Sequence, residues 1–302
     1  KEAFNDFIEE LDSFKIGFTF KRIDNKFKLK DINFTLIEGI IIDTKEDLTP
    51  YGKNDITFLK SKGIYLFSIL KWFENKLHRI PPQYIEHKEQ ILEKFNIQGN
   101  VYKFRVKRIG DFFVSLFLLF ITLPISILIV FCIYFEDKGP IFYSQVRTGF
   151  NGKKYRIYKF RSMIANAEKY GPQWSQQEDK RVTKVGRIIR ALRFDELPQL
   201  ISVIDGKMSL IGPRPERPEI EQRLLQEIPF YNYRNMLKPG ISGWAQVNYP
   251  YGASKNDTIK KLSYDIYYIN HISFFLDVLI LFKTIKTVFN AKGHKPQKRS
   301  KF

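Results

Sequence analysis

Asp195 and Glu196 are two adjacent carboxylates within residues 190–215, a segment that also contains three arginines and three prolines. Pro198 fits the first position of a short apolar helix that Gly206 would end, which predicts a helix junction at the two acids. A helix N-terminus at that point favours anions such as phosphate. Cations nearby keep a carboxylate ionised, and an ionised carboxylate can attack phosphorus to form an acyl phosphate. The simpler alternative is that Asp195 caps the helix and Glu196 pairs with an arginine.

Lys159 and Arg161 are the first candidates for phosphate binding. Asn151 and Gly152 form a strong two-residue turn signal, so the chain after them is predicted to return as a strand over residues 155–161. Alternation along a strand puts Lys159 and Arg161 on one face. Two cations at this spacing can hold a diphosphate, or equally the head groups of lipids.

Arg214 and Arg193 are the other cationic candidates. Pro213 and Pro215 fix the backbone on both sides of Arg214, and a guanidinium group matches the oxygens of phosphate. Arg193 lies off the apolar stripe of a predicted helix that precedes the two acids. The residues of that stripe recur at positions i, i+3, i+4 and i+7, which predicts one buried helix face. They are Val185, Ile188, Ile189 and Leu192.

Four segments of this region resemble the bacterial sugar transferase family, the monotopic polyprenyl-phosphate phosphoglycosyl transferases. One such segment would be a weak signal, whereas four in the family's order are specific. The resemblance covers residues 107–291 of the 302. The segments are YKFRSM at 158–163, FDELPQ at 194–199, MSLIGPRP at 208–215 and KPGISGWAQVN at 238–248.

The resemblance implies an enzyme that transfers a sugar 1-phosphate from a UDP-sugar to polyprenyl (undecaprenyl) phosphate and releases UMP. This step would begin the assembly of an exopolysaccharide, capsule or O-antigen. Asp195 would be the nucleophile, through a phosphosugar-aspartate intermediate, and Mg²⁺ would bind at its carboxylate. Glu196 would be the second acid of the pair, and Arg214 would contact the substrate phosphate. Lys207 stands where many relatives carry an acid, which weakens any second metal contact there.

Two alternatives to the covalent path stay open. The same substrates could react directly in a ternary complex, without an enzyme-bound intermediate. A non-catalytic membrane scaffold would also need membrane anchors, but it gives no reason for two acids beside Arg214.

Residues 112–135 form a run of 24 residues without a charge. As one helix this run would be ~36 Å long, enough to span a hydrocarbon core of ~30 Å. Pro124 at its middle removes a helical hydrogen bond and kinks the helix. Both flanks are basic, as expected if both ends stay on the cytoplasmic side. One alternative is a spanning helix. The other, which the family resemblance also implies, is a re-entrant helix that breaks at Pro124 and returns.

Further membrane contact is predicted after the two acids. Residues 262–289 are apolar and rich in tyrosine but interrupted by charges, which indicates one or two helices lying in the membrane interface. Residues 292–302 form a basic tail that acidic lipids would attract. With the resemblance, these features predict the cytoplasmic face of the bacterial inner membrane. The sequence is compatible with a homo-oligomer.

Residues 1–95 form a separate block in which predicted strands alternate with helices, typical of a parallel α/β layer. Residues 63–85 also resemble the end of the Rossmann-like domain of large family members. We therefore expect a partial Rossmann-like domain and a chain that is a fragment, since its first residue is not Met. The predicted fold class is this α/β block followed by a mainly α, α+β catalytic domain with a re-entrant helix hairpin and interfacial helices. The predicted divisions are 1–95 for the block, 96–111 for a basic connector, 112–135 for the re-entrant helix, 136–291 for the catalytic domain and 292–302 for the tail.

The formal net charge of +18 implies anionic partners: nucleic acid, acidic lipids or phosphorylated substrates. Nucleic acid is not predicted, because its binding surfaces rarely carry a long uncharged run. The chain has one cysteine, which excludes a disulfide within the chain and agrees with a reducing compartment. It has no Cys/His cluster with zinc-ligand spacing.

Overall fold

The computed structural model describes residues 37, 39–42, 53–85, 97–164, 167, 179–249, 252 and 254–289. The chain divides into two compact units, residues 1–80 with 84–86, and residues 81–83 with 87–302. A short 3-10 turn, Pro82–Tyr84, lies where the two ranges meet. The predicted basic tail lies outside the described residues.

The first unit contains two short parallel strands with a helix between them. Ser68 caps the second helix by accepting a hydrogen bond from the Lys71 amide at 3.2 Å, as a serine in that position predicts. The buried side chains of Ile69, Trp72 and Phe73 form its core. The order of elements agrees with the predicted α/β pattern, whereas the Rossmann-like domain stays a prediction. The elements are β1 (Gly39–Ile42), α1 (Lys53–Ser61), β2 (Tyr65–Ser68), α2 (Ile69–Trp72) and a π-helical turn (Phe73–Leu77).

A helix of 41 residues, α3 (Ile97–Asp137), begins inside the predicted connector and continues through Pro124. Its part Tyr102–Asp137 is long and apolar enough to cross a membrane, with a mean hydropathy of 3.0 in its most apolar window. Ser115 and Ile129 are buried, but no residue between them is. The helix is therefore longer than the predicted 112–135, and a return of the chain at Pro124 stays a prediction.

An antiparallel hairpin of β3 (Phe142–Thr148) and β4 (Lys154–Phe160) follows this helix, and all seven residues of each strand are paired. Asn151 and Gly152 have positive φ angles of 53° and 74° in the turn. These left-handed conformations suit asparagine and glycine, so the predicted hairpin is confirmed. Its connection is longer than the predicted two residues, because residues 149–153 join the strands and include a 3-10 turn, Phe150–Gly152.

The rest of the second unit is built from short helices around a two-stranded parallel sheet. β5 (Ser209–Ile211) pairs with β6 (Gly240–Ser242). The core lies against this sheet and includes the fully buried side chains of Val203, Met208 and Ile280. The remaining elements are α4 (Lys184–Ala191), a 3-10 turn (Phe194–Glu196), α5 (Gln199–Ile204), α6 (Pro218–Glu227), a 3-10 helix (Tyr231–Met236), α7 (Trp244–Asn248), α8 (Lys255–Asn270) and α9 (Phe274–Phe289).

Burial corrects two sequence-based predictions. On α4, Ile189 is buried but Ile188 is 63% exposed and Leu192 is 39% exposed, so the predicted single buried face is wrong. The helix α8 is a core helix, with Leu262 and Ile266 almost fully buried, and it does not lie in a membrane interface as predicted for residues 262–289. The following helix α9 does expose large apolar side chains: Phe274, Phe275, Leu279, Phe282 and Ile285.

Candidate active site

The two carboxylates lie in the 3-10 turn Phe194–Glu196, between α4 and α5, so the predicted helix junction is confirmed. Arg193 has a left-handed backbone with φ 60°, which costs ~1–3 kcal/mol for a residue other than glycine. This conformation ends α4 and redirects the chain into the turn. Asp195 and Glu196 are both buried, at 8% and 6% exposure. Their chemistry therefore depends on the few groups that reach them.

One carboxylate oxygen of Glu196 contacts three cationic side chains of the site. This oxygen, Oε1, accepts hydrogen bonds from Lys159 Nζ and Arg214 Nη2, each at 2.8 Å, and lies 4.0 Å from Arg193 Nη1. Burial alone would raise the pKa of Glu196, but the charges of Arg214 and Lys159 outweigh it and hold that pKa well below its usual range. Glu196 therefore stays ionised and positions three cations.

Asp195 has a different environment. Its Oδ1 is buried and has no hydrogen-bond partner among the described residues. Burial raises the pKa of Asp195, the charge of Lys159 lowers it, and the Glu196 carboxylate raises it further. The predicted pairing of Glu196 with an arginine is confirmed, because Arg214 binds that carboxylate. The predicted helix cap by Asp195 is wrong, because Pro198 is the residue that precedes α5 and no side chain caps it. A buried carboxylate oxygen without a partner keeps its lone pairs available for a phosphorus atom or a cation.

Arg214 extends from a turn whose backbone is fixed on both sides. The Gly212 amide donates to the Ser242 carbonyl and the Gly240 amide to the Pro213 carbonyl, both at 2.9 Å. The strands approach so closely that a Cβ on Gly240 would lie 2.1 Å from the Gly212 nitrogen, so only glycine fits there. The Arg214 side chain is 39% exposed, which leaves its guanidinium accessible to a ligand.

Lys159 and Arg161 reach different partners. Lys159 pairs with Glu196, whereas Arg161 is buried and pairs with Asp137 at the end of α3. The Nε and Nη1 atoms of Arg161 have no hydrogen-bond partner among the described residues. The structure thus brings Lys159, Arg193 and Arg214 together at the acids but places Arg161 beside the long helix. Phosphate binding by these four cations stays a prediction.

A divalent metal ion would fit at Asp195. Mg²⁺ prefers oxygen ligands and is commonly held through one or two carboxylates together with substrate phosphates. The partnerless Oδ1 of Asp195 meets that need, whereas Oε1 of Glu196 is occupied by cations. In the part of the chain that the structure describes, no group of three or more His, Cys, Asp or Glu side chains could hold a metal. Phosphate oxygens would therefore have to complete the coordination.

Three buried or partly buried groups near the site were missed by the sequence-based reasoning. Arg147 Nη1 donates to the Pro215 carbonyl at 3.1 Å, and Arg234 Nη2 donates to the Arg214 carbonyl at 2.7 Å. The Tyr155 hydroxyl is buried without a hydrogen-bond partner in the described part of the chain. Strand alternation could have found Tyr155, because it shares a predicted face with the lysine of the site. No sequence pattern marks the two arginines, since their roles depend on tertiary contacts.

Comparison with known proteins identifies the second unit. The family model described as "Bacterial sugar transferase" matches residues 102–291. This range contains both acids and all four predicted cations. It also contains most of α3 and the whole of the helical region that follows it.

Individual relatives match over a similar range. The chain is 46% identical over 193 residues to "UDP-N-acetylgalactosamine-undecaprenyl-phosphate N-acetylgalactosaminephosphotransferase" of Aeromonas hydrophila, which covers 64% of this chain and 45% of that protein. It is 38% identical over 186 residues to "Undecaprenyl-phosphate glucose phosphotransferase" of Komagataeibacter xylinus, covering 60% and 35%. It is 38% identical over 192 residues to "Uncharacterized sugar transferase EpsL" of Bacillus subtilis (strain 168), covering 62% and 89%. The chain therefore spans less than half of the length of the first two relatives.

Proposed function

The chain belongs to the bacterial sugar transferase family, and we propose that it transfers a sugar 1-phosphate from a UDP-sugar to undecaprenyl phosphate, with release of UMP. The names of the relatives from Aeromonas and Komagataeibacter both describe phosphotransferases that use undecaprenyl phosphate. One observation carries the proposal for this chain. Glu196 is neutralised by bound cations, while the adjacent Asp195 keeps a buried oxygen without a partner.

In the proposed first step, a carboxylate oxygen of Asp195 attacks the phosphorus that bears the sugar. The bond from that phosphorus to the bridging oxygen of the diphosphate breaks, and UMP leaves with the bonding electrons. The product is a phosphosugar-aspartate, a mixed anhydride. Arg214 and Lys159, held at Glu196, would stabilise the charge on the diphosphate as it leaves. A Mg²⁺ ion held by Asp195 and the donor's phosphate oxygens would screen the same charge.

In the proposed second step, a phosphate oxygen of undecaprenyl phosphate attacks the phosphorus of the intermediate. The bond to Asp195 breaks, the carboxylate is regenerated, and the sugar is linked to the lipid through a diphosphate. Two steps allow UMP to leave before the second anion enters, so two substrates that repel each other need not share the site. Direct transfer in a ternary complex would require both at once.

The long helix α3 would bring this site to the cytoplasmic face of the membrane. Near one end, Arg108 donates hydrogen bonds to the last carbonyls of α5. At the other end, Glu136 Oε1 accepts from the Lys184 amide at 2.7 Å, at the start of α4. A straight helix packed at both ends would also bury residues between them, yet none between Ser115 and Ile129 is buried. This pattern favours a bend that carries the apolar middle away from the catalytic domain and into lipid.

Mixing the purified protein with single UDP-sugars and Mg²⁺, without acceptor, tests the covalent path. We expect intact-protein mass spectrometry to show one added sugar phosphate and peptide mapping to find it on Asp195, with stoichiometric UMP. Adding undecaprenyl phosphate should make UMP release catalytic. Asp195→Asn should abolish the adduct and lower turnover by ~10³-fold or more. Asp205→Asn is the control, because that carboxylate is 48% exposed and pairs only with Lys207 among the contacts described for it.

Each alternative predicts a different result. UMP that appears only when the acceptor is present, with no adduct, would indicate direct transfer. Full turnover by the Asp195→Asn protein would show that this residue is not the nucleophile. A protein that releases no UMP from any UDP-sugar, with acceptor and Mg²⁺ present, would support the scaffold instead.

A further inference from the structure

Arg234 is a buried arginine, 9% exposed, that does not belong to the cations around the two acids. Its Nη2 donates a hydrogen bond to the Arg214 carbonyl oxygen at 2.7 Å. The same Nη2 lies 3.1 Å from Oδ2 of Asp265, a residue of α8 that is 2% exposed. Its Nη1 donates to the hydroxyl oxygen of Tyr231. One guanidinium thus connects a buried acid of a core helix to the backbone of Arg214.

The carbonyls that follow Arg214 are also bound. Arg147 Nη1 donates to the Pro215 carbonyl at 3.1 Å, and the Thr148 amide donates to the Glu216 carbonyl at 2.9 Å. Three successive carbonyls therefore have three donors from other parts of the fold. Of these donors, the guanidinium that binds the first carbonyl also forms an ion pair with a buried carboxylate from a third element.

We propose that Arg234 and Asp265 are positioning residues that set the place of Arg214 through its main chain. The inference rests on the proposed function, in which the Arg214 side chain binds the donor's phosphate. A carbonyl held at 2.7 Å fixes the peptide plane next to the Cα, and so the direction in which the side chain leaves the backbone. A displacement of about 1 Å at such a group can cost ~100-fold in rate.

Asp265 has a distinct part in this arrangement. A buried guanidinium without a counter-charge is unstable, so Arg234 needs a carboxylate within reach, which Asp265 supplies at 3.1 Å. Burial raises the pKa of Asp265 to about 6, although the charges of Arg234 and Lys261 lower it. Asp265→Asn would keep the shape of the side chain and remove the counter-charge. Arg234→Lys would keep the positive charge but could not bond the carbonyl, the hydroxyl and the carboxylate together.

A double-mutant cycle on donor kinetics tests the proposal. KM and kcat for the UDP-sugar that the wild type uses best are measured for Arg234→Lys, Arg214→Lys and the double variant. We expect Arg234→Lys to lower kcat/KM by ~10-fold or more, mainly through a higher KM for the donor. In the Arg214→Lys protein, adding Arg234→Lys should cost less than ~3-fold, because the two changes act on one interaction.

Arg223→Lys is the matched control, since this arginine lies on α6 with 61% exposure and should leave KM unchanged. Asp265→Asn should raise the KM like Arg234→Lys, and it keeps the test decisive if the lysine variant does not fold. Folded variants that keep the wild-type KM would overturn the inference, whether or not their Tm is lower. It would also be overturned if the effects of Arg234→Lys and Arg214→Lys on kcat/KM multiplied fully in the double variant. A wild-type protein without UMP release would overturn the proposed function itself.

Discussion

At the residue scale, two neighbouring carboxylates acquire opposite properties from the groups that reach them. Glu196 accepts hydrogen bonds from Lys159 and Arg214, so its pKa lies well below the usual range. The pKa of Asp195 is raised, mainly by burial and also by the negative charge of Glu196. A raised pKa goes with a more basic and more nucleophilic carboxylate, provided that it is ionised at the working pH. Glu196 therefore influences the pKa of the proposed nucleophile in addition to holding the cations.

Glu196→Gln should move the acidic limb of the pH–rate profile to lower pH. In the proposed mechanism the reactive form of Asp195 is ionised, so activity should fall as the pH drops through its pKa. The Glu196 charge raises that pKa, and its removal lowers it. Turnover on the plateau should fall by ~100-fold, because Lys159 and Arg214 lose the negative charge that holds them in place.

The measurement is kcat/KM for UMP release across the pH range in which the protein stays folded. Glu219→Gln is the control, because Glu219 is exposed on α6 and should leave the profile unchanged. A limb that moves to higher pH would contradict the electrostatic account of the pair.

Residue types and spacing were enough to find the acids and three of the cations that meet there. They were not enough to assign partners, because Lys159 and Arg161 are two positions apart in sequence yet bind carboxylates from different elements. The hydrogen bond from Arg234 to the Arg214 carbonyl joins residues 20 positions apart, so no local sequence pattern predicts it. Such contacts follow from tertiary packing.

At the element scale, α3 shows what composition can and cannot determine. The uncharged run predicted an apolar helix, but the helix also includes basic turns before it, from residue 97. Those turns contact the rest of the second unit, for example where Arg108 donates hydrogen bonds to the last carbonyls of α5. Thr122 Oγ1 donates to the Leu118 carbonyl at 2.7 Å, a bond that commonly bends helices, two residues before Pro124. Both features favour a bend at this point.

Pro124→Ala should straighten α3 and so change the side of the membrane on which the first turns of the helix lie. The alanine restores an amide donor to the preceding turn and removes the steric clash of the ring. Single-cysteine reporters, Tyr102→Cys and Lys153→Cys in a Cys132→Ser background, are labelled with a membrane-impermeant thiol reagent in intact bacteria. With Pro124 present, we expect both reporters to be protected. In Pro124→Ala, a fraction of the Tyr102→Cys reporter should become labelled.

Pro140→Ala serves as the control, since Pro140 is exposed and lies outside α3. If the two reporters lie on opposite sides of the membrane while Pro124 is present, α3 spans the bilayer and the re-entrant proposal is wrong.

At the scale of the whole molecule, the net charge and the exposed apolar surface together favour a position at the interface between water and membrane. The net charge of +18 favours acidic lipids and phosphorylated substrates. Most of the strongly exposed apolar side chains of the second unit lie on α3 and α9, and α4 adds Ile188. The fold class was predictable as far as its helical character and its apolar helix, because these follow from periodicity. The burial of α8 was not, since its tyrosines and isoleucines suit a core as well as an interface.

Changes on the exposed face of α9 should slow only the second step, the transfer to the lipid acceptor. Phe275 and Phe282 are 84% and 67% exposed, whereas Ile280 on the same helix is fully buried, so the two phenylalanines can be changed without loss of the core. Each apolar side chain moved from water into lipid contributes ~1.5–3 kcal/mol, which would seat α9 at the membrane surface. In the proposed reaction, only undecaprenyl phosphate would reach the site through the membrane, because the UDP-sugar would come from water.

The double variant Phe275→Ser/Phe282→Ser should therefore form the aspartate adduct with UDP-sugar at the wild-type rate. Transfer from that adduct to undecaprenyl phosphate in vesicles should slow by ~10-fold or more, because each lost contact weakens membrane docking. The same acceptor in detergent micelles should restore the rate. Tyr65→Ser is the control, since this aromatic is as exposed as Phe282, at 67%, and lies in the first unit. Equal loss of adduct formation and transfer would mean that α9 supports the fold of the site and does not dock it to lipid.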